Sequence, residues 1–148
     1  MNRLTCYTLS AVFLSITLSL NAQEAADHEQ LNLVKRQPDV SMKVTSVNLG
    51  HEESTITAEG DMGVYGRVYA TYDLAREQDL QGGKVYVQGR GATDAGIMSG
   101  EATGYWDLAD GVITMRFVAL ISDGTMNLDI VTFVPRTREM VHKVYVLK

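Results

Sequence analysis

The chain has 148 residues, 45% of them hydrophobic and 21% charged, and this length predicts one domain with one sizeable core. Its 13 basic and 18 acidic residues give a net charge of -5 at pH 7, which excludes a basic nucleic-acid-binding footprint over the whole chain. The ordinary balance of charge and hydrophobicity predicts a folded body rather than a disordered chain.

Residues 1–22 have the layout of a secretory signal peptide. Arg3 supplies a positive start, an apolar run extends from about Leu9 to Leu20, and Ala22 offers a small residue at the cleavage site. The run is short for a membrane span, and polar sequence follows it at once. We therefore expect a periplasmic or secreted protein with no membrane span in the mature chain. An uncleaved N-terminal anchor is the alternative.

Removal of residues 1–22 also removes Cys6, the single cysteine. The exported protein would then have no disulfide, no thiolate nucleophile and no thiolate metal ligand. Residues 23–40 contain no glycine and predict a flexible or short helical leader, whereas all 13 glycines lie from Gly50 onward. We place a β-barrel domain at residues 41–148.

Within this domain, apolar and polar residues alternate with a period of two, which is typical of half-buried antiparallel strands. Two weaker segments near 43–49 and 54–60 precede six clear ones, at 64–73, 84–91, 98–107, 113–121, 125–134 and 139–146. Asp110-Gly111 and Asp123-Gly124 are strong hairpin signals, and only 73–83 is a longer link. The sequence therefore predicts an all-β fold, an eight-stranded antiparallel up-and-down barrel, with a β-sandwich as the alternative.

The apolar face of each strand is expected to point inward, because burial of each large apolar side chain contributes about 1.5–3 kcal/mol. This orientation places Phe117, Leu128 and Ile130 inside, together with Ile113, Met115 and Met126. It leaves in solvent Arg67, Arg90, Glu101, Arg116, Asp129 and Lys143. It also predicts an outward aromatic and basic face formed by Tyr65, Tyr69, Tyr86, Tyr105, Arg67 and Arg90. The opposite orientation, an outer-membrane barrel, is disfavoured by the short links at both ends.

Two features of the predicted interior are unusual. Several glycines face it, either to leave room for a ligand or to let the strands coil tightly: Gly66, Gly89, Gly91, Gly100 and Gly104. Three groups that can form hydrogen bonds also point inward: Tyr72, Trp106 and His142. An inward histidine is either a core residue bonded to the backbone or a polar anchor for a ligand. No motif predicts a metal site or a cofactor.

The plan of about eight glycine-punctuated strands with Trp106 inside resembles the calycin-type and allene-oxide-cyclase-like small barrels. Gly104-Tyr105-Trp106 is similar to the Gly-x-Trp of lipocalins, although it lies in mid-chain rather than in the first strand. The resemblance implies a hydrophobic ligand in the interior and supports no transfer of residue roles.

Three functions follow as hypotheses. The barrel binds a small apolar molecule, with Tyr72, Trp106, Met115 and Phe117 as walls and His142 as polar anchor. Alternatively, it is a cavity isomerase or cyclase that uses His142 as acid and base, or it is a ligand-free module that interacts through the Tyr/Arg face. An internal void of about 300 Å³ or more would favour a ligand. No stripe of the sequence decides the oligomeric state.

The signal peptide generates the first testable prediction. Protein purified from the periplasm or medium should begin at Gln23, because signal peptidase cuts after a small residue at the end of the apolar run. N-terminal sequencing together with intact mass spectrometry measures this. A chain that retains residues 1–22 in a membrane fraction would instead indicate the uncleaved anchor.

Overall fold

The structure is a computed structural model that describes residues 32–77 and 81–148. The predicted signal peptide and the predicted leader as far as residue 31 lie outside the described residues. The remaining leader residues, 32–39, contain no helix.

The described chain forms a closed barrel of antiparallel strands in which each strand pairs with the next and the first pairs with the last. Their bounds are β1 Val40–Leu49, β2 Glu53–Asp61, β3 Arg67–Arg76, β4 Gly82–Thr93, β5 Gly96–Ala109, β6 Val112–Ile121, β7 Met126–Val134 and β8 Glu139–Val146. The predicted eight-stranded antiparallel up-and-down barrel is confirmed, and the sandwich does not form.

The seam between β1 and β8 closes the sheet. Their pairing covers four residues, from Val40 opposite His142 to Lys43 opposite Glu139. The chain before β1 lengthens this seam, because Lys35 forms a bridge with Tyr145 and the Arg36 amide donates to the Val144 carbonyl at 2.9 Å. The described part of the leader is thus extended chain along β8.

The two ends of the barrel differ in their links. We call one the Tyr65 end, where the β2–β3, β4–β5 and β6–β7 links lie, and the other the Trp106 end. The half toward the Trp106 end is a filled core of large side chains: Leu74, Val85, Ile113, Met115, Phe133 and Met140. Trp106 packs there and donates its indole N–H to the Ala75 carbonyl at 3.0 Å. This half supplies the close packing that stabilises small domains.

One strand has the opposite orientation to the predicted one. The sequence pattern predicts Met126, Leu128 and Ile130 inside and Asp129 in solvent, and for β7 this prediction is wrong. The buried residues of β7 are Asn127, Asp129, Val131 and Phe133. Both faces of this strand are rich in apolar residues, so alternation alone does not determine which face points into the barrel. Phe133 determines the inward face, because it packs in the filled half, opposite Ile113 and Met140 in the register.

Elsewhere the predicted orientation agrees with the structure. Phe117 is buried, whereas Arg90 and Glu101 are exposed. Tyr65 is a further exception: the sequence predicts it on the outer face, but it is buried in a short 3-10 helix, Gly63–Tyr65, that precedes β3. Tyr69, Tyr86 and Tyr105 lie outside as predicted.

The inward glycines are not all alike. A Cβ at Gly104 would lie 2.0 Å from the Arg116 carbonyl oxygen, so this glycine allows β5 and β6 to approach closely. A Cβ at Gly89 would meet its nearest atoms at 3.9 Å, an ordinary van der Waals contact, so close approach of the strands does not require this glycine.

The orientation of β7 can be tested by comparing two truncations. Phe133→Ala should lower the free energy of unfolding by about 3–5 kcal/mol, because it opens a cavity in the filled half. Leu128→Ala, on the outer face of the same strand, should lower it by about 1 kcal/mol or less. Urea unfolding of both variants measures this. A larger loss of unfolding free energy for Leu128→Ala than for Phe133→Ala would contradict the observed orientation of β7.

Candidate functional site

The half of the barrel toward the Tyr65 end contains a cavity of about 70 Å³. It exists because small residues face one another there across neighbouring strands: Ala70 is paired with Gly89, and Ala102 with Ala119. Gly89 is in turn paired with Gly100. A pair of alanines or glycines cannot fill the interior of a closed barrel, and the unfilled volume remains as the cavity.

The size of the cavity limits what can occupy it. One water molecule needs about 10–15 Å³ of such space, so the cavity has room for about five water-sized groups. This is smaller than the void of about 300 Å³ or more that is expected of a ligand-binding barrel, a size typical of sites for drug-sized ligands. A ligand that fits without rearrangement has about five non-hydrogen atoms.

Asp129 from β7 and His142 from β8 line the cavity, and both are buried. His142 Nε2 lies 3.0 Å from Asp129 Oδ2, and His142 Nδ1 lies 3.4 Å from the hydroxyl of Tyr72 in β3. The Phe117 ring meets the imidazole edge-on, with ring centroids 6.0 Å apart. We call Tyr72, Asp129 and His142 the polar triad.

The geometry of the polar triad limits how its protons can be arranged. An ionised carboxylate only accepts, so with Asp129 ionised His142 donates from Nε2. Burial raises the pKa of Tyr72 above its ordinary value, so its hydroxyl keeps its proton. The hydrogen bond between this hydroxyl and His142 Nδ1 can run in either direction. When the hydroxyl donates, the imidazole is neutral, and the triad then carries the negative charge of Asp129 alone.

The second oxygen of this carboxylate is unusual. Asp129 Oδ1 is buried and has no hydrogen-bond partner among the described residues. A buried acceptor without a donor costs about 1–3 kcal/mol, and more when it is charged. Among the described residues that line the cavity, none is a lysine or an arginine. Residues 32–77 and 81–148 therefore leave this oxygen without a donor.

A second polar network stands at the Tyr65 end. Asn127 donates from Nδ2 to the Tyr65 hydroxyl at 3.0 Å and accepts from Arg36 Nε at 2.6 Å. The Tyr65 hydroxyl also lies 3.3 Å from Thr125 Oγ1. These bonds tie together the β2–β3 link, β7 and the segment before β1. They hold Tyr65, which lines the cavity, in place.

The structure brings together some of the predicted site residues and separates others. Phe117 and His142 line the cavity, and Tyr72 contacts His142. Trp106 and Met115 lie in the filled half and do not line the cavity. Both ring nitrogens of His142 are engaged by protein groups, so exchange of a proton with a ligand requires the loss of one of these bonds.

Sequence reasoning missed Asp129, Asn127 and Tyr65. A usable signal exists for the first two, because they share their face of β7 with Val131 and Phe133. No comparable signal marks Tyr65, whose position depends on a 3-10 turn.

Two further features are absent from residues 32–77 and 81–148. These residues bring no group of three or more His, Cys, Asp or Glu together in a way that could hold a metal ion. They also include no helix that is long and apolar enough to cross a bilayer. No protein-family model, no curated protein and no solved structure matches the chain.

The buried phenol of Tyr72 predicts a specific alkaline behaviour. Burial raises the pKa of Tyr72, so its phenol ionises at a higher pH in the folded protein than in the unfolded chain, where a tyrosine titrates at a pH of about 10. The stability that depends on the neutral phenol is therefore complete below that pH and is lost as the pH rises above it. Folded wild-type protein and Tyr72→Phe should therefore show the same amplitude of tyrosine ionisation near pH 10 in an ultraviolet titration. A smaller amplitude in the variant would show that Tyr72 ionises in its ordinary range.

Proposed function

We propose that this protein is an exported barrel that binds a small, predominantly apolar molecule in the cavity at its Tyr65 end. One observation carries the proposal: the barrel is filled in one half and hollow in the other. The hollow half is walled by small residues, with Ala70 on β3, Gly89 on β4 and Ala119 on β6. The ligand would replace the missing side-chain volume and gain the contacts that the wall now lacks.

The chemistry of the wall supports an apolar ligand with a single polar contact. Phe117, Val87 and Val144 contribute apolar surface, whereas Asp129 and His142 supply a localised polar group. This is the usual composition of a small-molecule site. The resemblance to calycin-type and allene-oxide-cyclase-like barrels supports the same class of ligand, and the signal-peptide layout of residues 1–22 supports export.

The structure gives less support to the hypothesis of a ligand-free module that interacts through the Tyr/Arg face. Tyr69, Tyr86 and Tyr105 are about half exposed, and Tyr69 stands beside Arg90 in the register. Burial of Tyr65 removes one of the four tyrosines of the predicted face. The ligand hypothesis is therefore the better supported one.

Xenon, a single apolar atom, is a suitable probe because the cavity needs no polar contact to hold it. We expect ¹²⁹Xe NMR to detect saturable binding by the wild-type protein. Gly89→Val should weaken xenon binding about tenfold or more, because Gly89 lines the cavity, a Cβ there meets no atom closer than 3.9 Å, and the added side chain would occupy the space that xenon needs. A tenfold change corresponds to about 1.4 kcal/mol.

Gln88→Val is the matched control. Gln88 neighbours Gly89 on β4 but is exposed on the outer face, so this variant should bind xenon as the wild type does. Absence of xenon binding in the wild type, or equal binding in folded Gly89→Val, would contradict the cavity as a binding site. The interaction-module hypothesis would then be the remaining one.

A further inference from the structure

The unpartnered carboxyl oxygen of Asp129 specifies the class of ligand more closely than the apolar wall does. Asp129 is buried, accepts one hydrogen bond from His142, and keeps its Oδ1 without a donor among the described residues. Buried carboxylates are normally surrounded by several donors or by a cation. Since the described residues offer no such donor, a water molecule or a ligand group in the cavity would supply it.

The nearby side chains do not supply a compensating cation. When Tyr72 donates to Nδ1, His142 is neutral and gives Asp129 a hydrogen bond but no positive charge. Arg36 stands at the Tyr65 end, but its hydrogen bonds go to Asn127 Oδ1 and to the carbonyls of Met126 and Lys148. Glu101 borders the cavity through β5, but it is exposed on the outer face of that strand, where solvent screens its charge.

We propose that the ligand is a small aliphatic amine, bound as its ammonium ion, whose N–H groups donate to the carboxylate of Asp129. This inference rests on the proposed function and specifies its ligand class. The alkyl part of the amine would lie against Ala70, Gly89 and Ala119, where the cavity is open. Phe117, which also lines the cavity, offers an aromatic ring of the kind that attracts cations.

The geometry disfavours the two other polar classes of ligand. A carboxylate ligand would place a second negative charge beside Asp129, and like charges in a poorly solvated site repel strongly. An alcohol can donate one hydrogen bond to Asp129 but leaves its charge uncompensated. The expected order of affinity is therefore amine, then alcohol, then hydrocarbon, with an acid weakest.

Three probes of one shape test this order: isobutylamine, isobutanol and isopentane, which differ only in a terminal NH₃⁺, OH or CH₃ and each have five non-hydrogen atoms. Binding to the wild-type protein at pH 7 is measured by NMR titration. We expect isobutylamine to bind about tenfold or more tighter than isopentane, the size of one charge-assisted hydrogen bond. Equal or weaker binding of isobutylamine would overturn the inference.

The variant Asp129→Asn tests whether this carboxyl group is responsible for the preference for isobutylamine. The amide oxygen can still accept from His142 Nε2, so the fold and the cavity should persist, and isopentane affinity should stay within about twofold, as for a substitution that leaves the apolar wall intact. Isobutylamine affinity should fall about tenfold or more, to near that of isopentane. Glu101→Gln is the matched control, and it should leave the preference for the amine unchanged.

The outcomes separate this inference from the proposed function. Isopentane and xenon binding without a preference for isobutylamine would retain a ligand-binding barrel and overturn the amine assignment. Loss of the preference in Glu101→Gln instead of Asp129→Asn would also overturn it. Failure of every probe, xenon included, would reject the proposed function and the inference together. If Asp129→Asn does not fold, the three-probe comparison on the wild type decides.

Discussion

Closure of the sheet between β1 and β8 is the constraint on which the rest of the structure depends. A closed barrel has an interior of fixed width, and the inward side chains must fill it or leave it empty. At the Trp106 end, large residues such as Phe133 and Met140 fill it. At the other end, the alanines and glycines of four neighbouring strands do not. The cavity is therefore a consequence of side-chain volume in a frame whose diameter is already set by strand number.

The polar triad depends on the same closure. Asp129 and His142 come from paired strands, whereas Tyr72 reaches His142 from β3, with β1 and β2 between. Only a sheet curled into a barrel brings these strands face to face across its interior. The polar triad lowers the stability of the fold, because it buries a carboxyl group that has only one hydrogen-bond donor among the described residues. A fold can retain such a group when the rest of its core supplies enough stability. In this barrel the filled half supplies it, so the other half can hold a polar site.

The sequence predicted the fold well and the site only in part, for a physical reason that particular residues illustrate. In β6, Ile113, Met115 and Phe117 alternate with polar or exposed positions, so the phase of that strand could be predicted. In β7, Leu128 and Ile130 compete with Val131 and Phe133, and the choice is made by partners on β6 and β8 that the local pattern does not contain. The cavity likewise arises because the register between β5 and β6 sets Ala102 opposite Ala119. The local sequence pattern of one strand does not contain this register. Tyr65 depends on a turn that alternation does not describe.

The separation of a filled half from a hollow half also bears on how this protein could diversify. Residues that hold the barrel together and residues that shape its interior space occupy different levels along the axis. Replacement of Ala70 or Ala119 by another small or medium side chain would change the shape of the cavity while leaving the hydrogen bond of the Trp106 indole untouched. The interior space could therefore be reshaped in evolution through a handful of substitutions, without compensating changes in the filled half.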